Sequence, residues 1–320
     1  MSTAPQRHFV SPPRPSTLRP PGMERVGIGY ALVDNCSAQE ACEAIISHAK
    51  AGGEPAFAAT ANAQHIVLLD NDPRLREIYN RADLVIADGA SLLLAARLYG
   101  RSLRERVAGV DMFQVLCGLA AENALSVFLL GGRPGSADLT AGVLKRNFPF
   151  LRISTYCPPF GFERTAEGLK ETAQAIRAAR PDLLFVALGA PKQEYWIYEH
   201  GLKLSVPVCV GVGGSFEMVA GIVRRAPLWM QNLGCEWLCR LCLEPRRMWR
   251  RYLIGNLEFA AIVLRQRIRR AFLDAFVQFV NEDRFAAELS ELTLLQRRGL
   301  LNRGTGITTH DVEGLTTPSI

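Results

Sequence analysis

Asp88 closes an apolar run, Leu84–Ala87, and is followed by Gly89. A solvated surface ion pair is not expected at the end of such a run; a carboxylate facing a ligand is. Burial at a strand end raises a carboxyl pKa toward values useful for taking a proton. General base and structural turn are the two readings of Asp88. Other short motifs also close or follow apolar runs: Thr60-Ala61-Asn62, Arg106-Val107-Ala108-Gly109-Val110-Asp111, Gly189-Ala190-Pro191-Lys192-Gln193-Glu194, Gly211-Val212-Gly213-Gly214-Ser215-Phe216 and Arg225-Ala226-Pro227. In an open parallel sheet, ligands bind beyond the carboxyl ends of the strands. One crevice would then collect a hydroxyl, an amide, a carboxylate and free backbone N–H groups, a set suited to a polar, phosphorylated substrate.

Other motifs carry two readings each. Gly131-Gly132-Arg133-Pro134-Gly135-Ser136 follows a strand and precedes a helix, so it is either a phosphate-cradling turn or a plain connection. Asp70-Asn71-Asp72 imitates a metal-holding D-x-D, but Pro73 follows, and Asp72 reads better as a helix N-cap. His65, set among Ile66, Val67 and Leu68, reads as structural, and Asp111 as the start of a helix. Cys235, Cys239 and Cys242 have neither a nearby His nor a fourth Cys to complete a tetrahedral site, which favours packing over metal. No metal and no cofactor is expected.

The elements that must position these groups alternate. Strands are expected at Gly27–Val33, Phe57–Thr60, Leu84–Ala87, Ser126–Leu130, Arg152–Tyr156, Leu183–Leu188 and Val206–Val212. Helices are expected at Ala38–Ala49, Pro73–Arg81, Ser91–Tyr99, Met112–Asn123, Ser136–Asn147, Ala166–Ala179 and Lys192–Glu199. That alternation predicts an α/β fold, a Rossmann-like parallel sheet flanked by helices. Four regions follow: a disordered Pro-rich leader (1–24), the α/β domain (25–223), a helical basic appendage (224–285) and a largely disordered tail (286–320).

The 320 residues carry a net charge of +6, unevenly placed. Arg224 to Arg270 holds eleven arginines, no lysine and three glutamates, a net of +8 that leaves −2 for the rest. The N-terminus lacks the apolar core of a secretory signal. No apolar stretch approaches the roughly 20 residues that span a bilayer. Cytoplasmic residence with reduced thiols is expected.

The motifs T-A-N, A-D-L-V-I-A-D-G, E-R-V-A-G-V-D, F-L-L-G-G-R-P-G, G-A-P-K-Q-E, G-V-G-G-S-F and R-A-P-L-W-M-Q, in this order over residues 26–255, resemble the WecG/TagA/CpsF family of bacterial glycosyltransferases. The resemblance implies an inverting enzyme at the inner face of the cell membrane. It would move N-acetylmannosamine or a related hexose from a UDP-sugar to a polyprenyl-diphosphate-linked acceptor in surface polysaccharide synthesis. Through it, Asp88 matches the proposed base, Thr60 and Asn62 the substrate-contacting pair, and Gln193 an active-site amide. Arg240, Arg247 and Arg250 match basic residues of a C-terminal appendage. Ala61-Asn62-Ala63 stands where many members have Pro beside the Asn.

The residues fit that chemistry by themselves. An inverting transfer needs a base at the acceptor hydroxyl and positive charge or N–H donors at the departing diphosphate. Asp88 suits the first; arginines, the Gly211–Gly214 backbone and the turns at Gly131, Gly132 and Gly189 suit the second. Trp and Arg near the C-terminus suit a membrane surface and lipid-borne phosphates. A homo-oligomer is allowed. Two other classes compete. A Rossmann oxidoreductase requires a G-x-G-x-x-G with a later acidic residue, which is absent. A nucleic-acid-binding module would use the basic segment, but that segment interleaves with apolar residues and carries no recognised motif; no nucleic-acid partner is expected.

Overall fold

The computed structural model describes the backbone of residues 16–297, and side chains through 280 other than those of Asn232 and Arg247. The chain forms two compact units, Met1–Gln266 and Arg267–Ile320. Of the expected leader, residues 1–15 lie outside the described residues. The rest is anchored: Leu18 is buried, and Arg19 Nε donates to the buried Asp34 carboxylate at 2.5 Å.

The chain then forms β1 (Arg25–Ile28) and β2 (Ala31–Asp34), an antiparallel hairpin where one strand, Gly27–Val33, is expected. The reversal falls at Gly29, whose φ of +57° belongs to the left-handed region open to glycine. Next come α1 (Ala38–Ala51), β3 (Ala56–Ala61), α2 (Ala63–Asn71), α3 (Pro73–Arg81), β4 (Leu84–Ala87), α4 (Ala90–Leu98), α5 (Gly109–Glu122) and β5 (Ser126–Gly131). They are followed by α6 (Ser136–Asn147), β6 (Arg152–Tyr156), α7 (Ala166–Ala179), β7 (Leu183–Ala187), α8 (Lys192–Glu199), β8 (Val208–Gly211) and α9 (Ser215–Val219). Helix starts follow local chemistry. Ser37 and Glu40 form a reciprocal capping box on α1, and Asp72 Oδ1 accepts from Arg74 N and Leu75 N, each at 3.1 Å, to cap α3.

Six strands form one parallel sheet in the order β4-β3-β8-β7-β5-β6. Every residue of β3, β4, β7 and β8 is buried, the burial expected of a parallel sheet covered on both faces. One face packs on the hairpin, α2, α3, α4 and α8; the other packs on α1, α5, α6 and α9. The sheet is thus the Rossmann-like α/β layer expected. Strands β3 and β8 adjoin near its middle although β4 to β7 lie between them in sequence, and this puts the carboxyl ends of β3, β4, β7 and β8 around one crevice.

Beyond Val223 the helical stretch is broken into α10 (Leu228–Asn232), α11 (Glu236–Leu243), α12 (Pro245–Trp249), a π turn (Arg250–Ile254) and α13 (Gly255–Arg297). Pro227, the left-handed Gly234 and Pro245 mark the breaks. No residue of α11 is buried: Cys235 and Cys239 are half-covered and Cys242 is exposed, so the expected packing of these thiols in a core is corrected. The start of α13 docks firmly. Phe259, Ile262 and Val263 are buried, and the Gln266 amide accepts from Gly29 N at 2.7 Å and donates to Gly27 O at 3.3 Å.

The second unit, taken by itself, continues α13 to Arg297, past the expected boundary at 285. Its Ile268, Phe272, Phe276 and Val280 recur every four residues and are exposed. Residues 298–320 lie outside the described residues. No helix among the described residues is long and apolar enough to cross a membrane.

Candidate active site

Parallel pairing of β3 with β4 sets Thr60 opposite Ile86 and Ala61 opposite Ala87, so Asn62 and Asp88 leave adjacent strand tips together. Asp88 N donates to Ala61 O at 2.7 Å. The Asp88 carboxylate lies at the N-terminus of α5, where Gly109 N donates to Oδ1 at 3.1 Å. Burial pushes its pKa up from 3.8 to about 6; the Gly109 N–H and the charges of His65, Arg240 and Arg106 act in the opposite direction. The residue remains half-exposed, so a carboxyl surrounded by protein still opens on the crevice. A group of this kind is ready to accept a proton near neutral pH.

Thr60 is buried and its carbonyl accepts from Tyr79 Oη at 3.1 Å. Asn62 caps α2: its Oδ1 accepts from Gln64 N at 3.1 Å and His65 N at 3.4 Å. Gln193 is buried with both ends of its amide engaged, Oε1 accepting from Gly213 N at 3.0 Å and Nε2 donating to Glu194 Oε1 at 2.8 Å. Gly211 permits this: a Cβ there would lie 2.8 Å from Gln193 Nε2. Gln193 therefore joins the loops after β7 and β8. The Gly189 carbonyl accepts from Gln193 N at 3.0 Å, and of the Gly211–Gly214 donors, Val212 N and Gly213 N are committed to Val186 O and Gln193.

The Gly131-to-Ser136 turn is filled by the protein's own anion. Gly132 N donates to Ala187 O at 2.9 Å, and Arg133 N to the Glu217 carboxylate at 2.8 Å. A phosphate at this turn would have to displace Glu217.

Two arginines reach the Asp88 neighbourhood. Half-buried Arg240 approaches the Met218 thioether at 3.2 Å, and Arg106 donates to Gln231 O at 3.1 Å and lies 3.6 Å from Glu236. Arg250 is exposed, its guanidinium 5.2 Å from the Trp249 ring centroid. Arg247 lies on α12 by its backbone; its side chain is outside the described residues. Arg225 makes a two-pronged ion pair with Asp111 and so ties the appendage to the first turn of α5. Asp70 and Asp72 are also engaged, Asp70 with Arg265 at 2.7 Å and Asp72 with its cap and the Tyr195 hydroxyl. Among the described residues no cluster of three His, Cys, Asp or Glu is placed to hold a metal.

The sequence by itself assigns no role to Arg106, Glu194 or Glu217 and places His65 only as structural. Arg106 and Glu194 lie within the motifs themselves. His65 follows Asn62 by three, the spacing of a capping box.

A family model described as the glycosyl transferase WecG/TagA/CpsF family matches residues 26–272. A Bacillus spizizenii protein is 34% identical over 198 residues, 62% of this chain and 75% of its own length. A Bacillus subtilis protein is 32% identical over 214 residues, 66% and 80% of the two chains. A Staphylococcus aureus protein is 27% identical over 215 residues, 67% and 83%. All three carry the name N-acetylglucosaminyldiphosphoundecaprenol N-acetyl-beta-D-mannosaminyltransferase.

Proposed function

Given that the chain belongs to the WecG/TagA/CpsF family of glycosyltransferases, we propose that it transfers N-acetylmannosamine or a related hexose from a UDP-sugar to a polyprenyl-diphosphate-linked sugar, with inversion, in surface polysaccharide assembly. The observation that carries this reading is the place of the Asp88 carboxyl, at the tip of β4 next to Asn62 and at the N-terminus of α5, where burial pushes its pKa up to about 6. Asp88 takes the proton from the acceptor hydroxyl as that oxygen attacks the anomeric carbon; the C–O bond to UDP breaks and the electron pair leaves on the diphosphate. Arg106 and Arg240 offset charge in the crevice, and Thr60 and Asn62 orient the sugar. Gln193 acts by fixing the Gly213 loop beside the site. Incubating the purified protein with a panel of UDP-sugars and a short-chain lipid-diphosphate acceptor tests the reading and identifies the sugar; no transfer with any donor overturns it.

The proposal places the work at the inner surface of the cell membrane. Leu228, Trp229, Leu233, Leu253 and Leu257 are exposed within a segment rich in arginine, the composition of an interfacial surface. Replacing both Arg247 and Arg250 by Ala is expected to cut transfer at least about tenfold. Liposome co-sedimentation should change less, since other arginines keep the surface basic. Equal loss in both assays would assign the two arginines to membrane attraction alone.

Transfer is also expected to stay within about twofold when EDTA replaces added magnesium or manganese. Asp70 and Asp72, the pair that imitates a metal motif, are engaged by Arg265, by Tyr195 and by the start of α3. A rate that collapses in chelator and returns with metal would overturn this.

A further inference from the structure

His65 and Glu194 are two ionisable side chains left 4% and 1% exposed, on α2 and α8 at the edge of the crevice. Burial of such groups is costly unless they are paired. Their nearest atoms, His65 Nε2 and Glu194 Oε1, are 3.6 Å apart. His65 Nε2 and Glu194 Oε2 have no hydrogen-bond partner among the described residues.

The position of one hydrogen follows from the cap. Two backbone donors, Gln64 N and His65 N, identify the capping atom of Asn62 as its oxygen. His65 Nδ1 lies 2.9 Å from that oxygen, a contact that requires hydrogen on Nδ1. The Asn62 N–H, 3.3 Å from the same nitrogen, would require a lone pair there. The shorter contact, to an oxygen fixed by the backbone, decides between them. A neutral ring would then aim the Nε2 lone pair at a carboxylate oxygen, which is repulsive, while a proton on Nε2 makes the contact attractive. The same contacts form a chain, Gly213–Gln193–Glu194–His65–Asn62, joining the segments that follow β8, β7 and β3.

We propose that His65 and Glu194 are a positioning pair that holds a proton on His65 Nε2, orients the Asn62 amide and supplies positive charge that acts on Asp88. The role toward Asp88 rests on the reading of that residue as the base. The groups facing His65 are Glu194 from α8, Asp88 from the end of β4, and Tyr79 from α3, whose ring centroid is 6.2 Å from that of His65. The charge of His65 acts on the Asp88 carboxyl together with those of Arg240 and Arg106.

The direct test is ¹⁵N NMR of the full chain labelled at histidine, with five rings to assign. His65→Gln identifies the His65 signals; if that variant does not fold, single replacement of the other four histidines does so by elimination. Near neutral pH the His65 ring is expected to carry hydrogen on both nitrogens. Glu194→Gln is expected to return it to a neutral ring protonated at Nδ1. A neutral ring in the unaltered protein, or one indifferent to Glu194→Gln, overturns the proposal.

A second readout uses transfer. His65→Gln removes the charge that holds the Asp88 carboxyl down, so the acidic limb of kcat should move to higher pH by about half to one unit, a roughly three- to tenfold deficit below the limb that shrinks as pH rises. Lowered thermal stability with an unmoved limb would mark a merely structural residue and overturn the role. If Asp88→Asn keeps its activity, the base reading fails, while the NMR result still decides the state of the pair.

Discussion

Asp88→Asn is expected to lower turnover by about 10²–10⁴-fold while leaving UDP binding and the fold in place. The amide keeps the size of the carboxyl, and its oxygen still accepts the Gly109 N–H that now lies 3.1 Å from Asp88 Oδ1. What it lacks is the ability to take a proton. The same substitution has a stability signature. Burial raises the carboxyl from 3.8 to about 6. Between those values the folded protein binds more protons at this site than the unfolded chain does. Native stability therefore falls as pH rises through that window and the loss is complete above about 6. Asparagine does not ionise, so the variant should match the native protein below the window and exceed it above, by about 1–2 kcal/mol once the half-exposed position is allowed for. Steady-state transfer, UDP calorimetry and urea melts on either side of the window check the three parts. Turnover within a few-fold of the native enzyme removes Asp88 from the base role.

The features that make this experiment obvious were readable in the sequence, and physics explains which others were not. Strands buried on both faces appear as continuous apolar runs, so Leu84–Ala87 and Leu183–Ala187 stand out and Asp88 is marked by ending one of them. The expected strand Gly27–Val33 is continuous in the same way, yet folds as a hairpin because one glycine in it takes a left-handed turn. Helix α2 escaped because its apolar run is short and its start depends on a side-chain cap from Asn62, recognisable only once β3 is known to stop there. Pairings between distant segments, such as His65 with Glu194 or Glu217 with the turn at Arg133, are products of topology and leave no periodic trace. The basic appendage illustrates the same limit. Phe259, Ile262 and Val263 resemble the exposed apolar residues around them, and only their docking partner tells them apart.

That docking decides the outcome of shortening the chain. A protein ending at Gly221 would have a complete sheet but an incomplete core, because Phe259, Ile262 and Val263 belong to the core that also holds the hairpin, α2 and α4. Removing them uncovers that face and takes away the Gln266 amide that bridges Gly27 and Gly29. Loss of three such apolar side chains costs several kcal/mol, at about 1.5–3 kcal/mol each. The Gly221 chain is therefore expected to lose transfer altogether, together with a large drop in melting temperature. It also loses Arg240, one of the charges acting on Asp88. A chain ending at Gln266 keeps the first unit whole and removes the second, with its exposed stripe of Ile268, Phe272, Phe276 and Val280. It is expected to melt near the full-length temperature and to glycosylate a short-chain acceptor at a comparable rate, with liposome binding reduced about tenfold or more through the lost apolar area. The pair of truncations separates three contributions that a single cut confounds: core cover, charge at the active site and lipid attachment. Full-length transfer from the Gly221 chain would show that the appendage supplies none of the three, and undiminished liposome binding by the Gln266 chain would move the membrane surface onto the residues between Arg224 and Leu257.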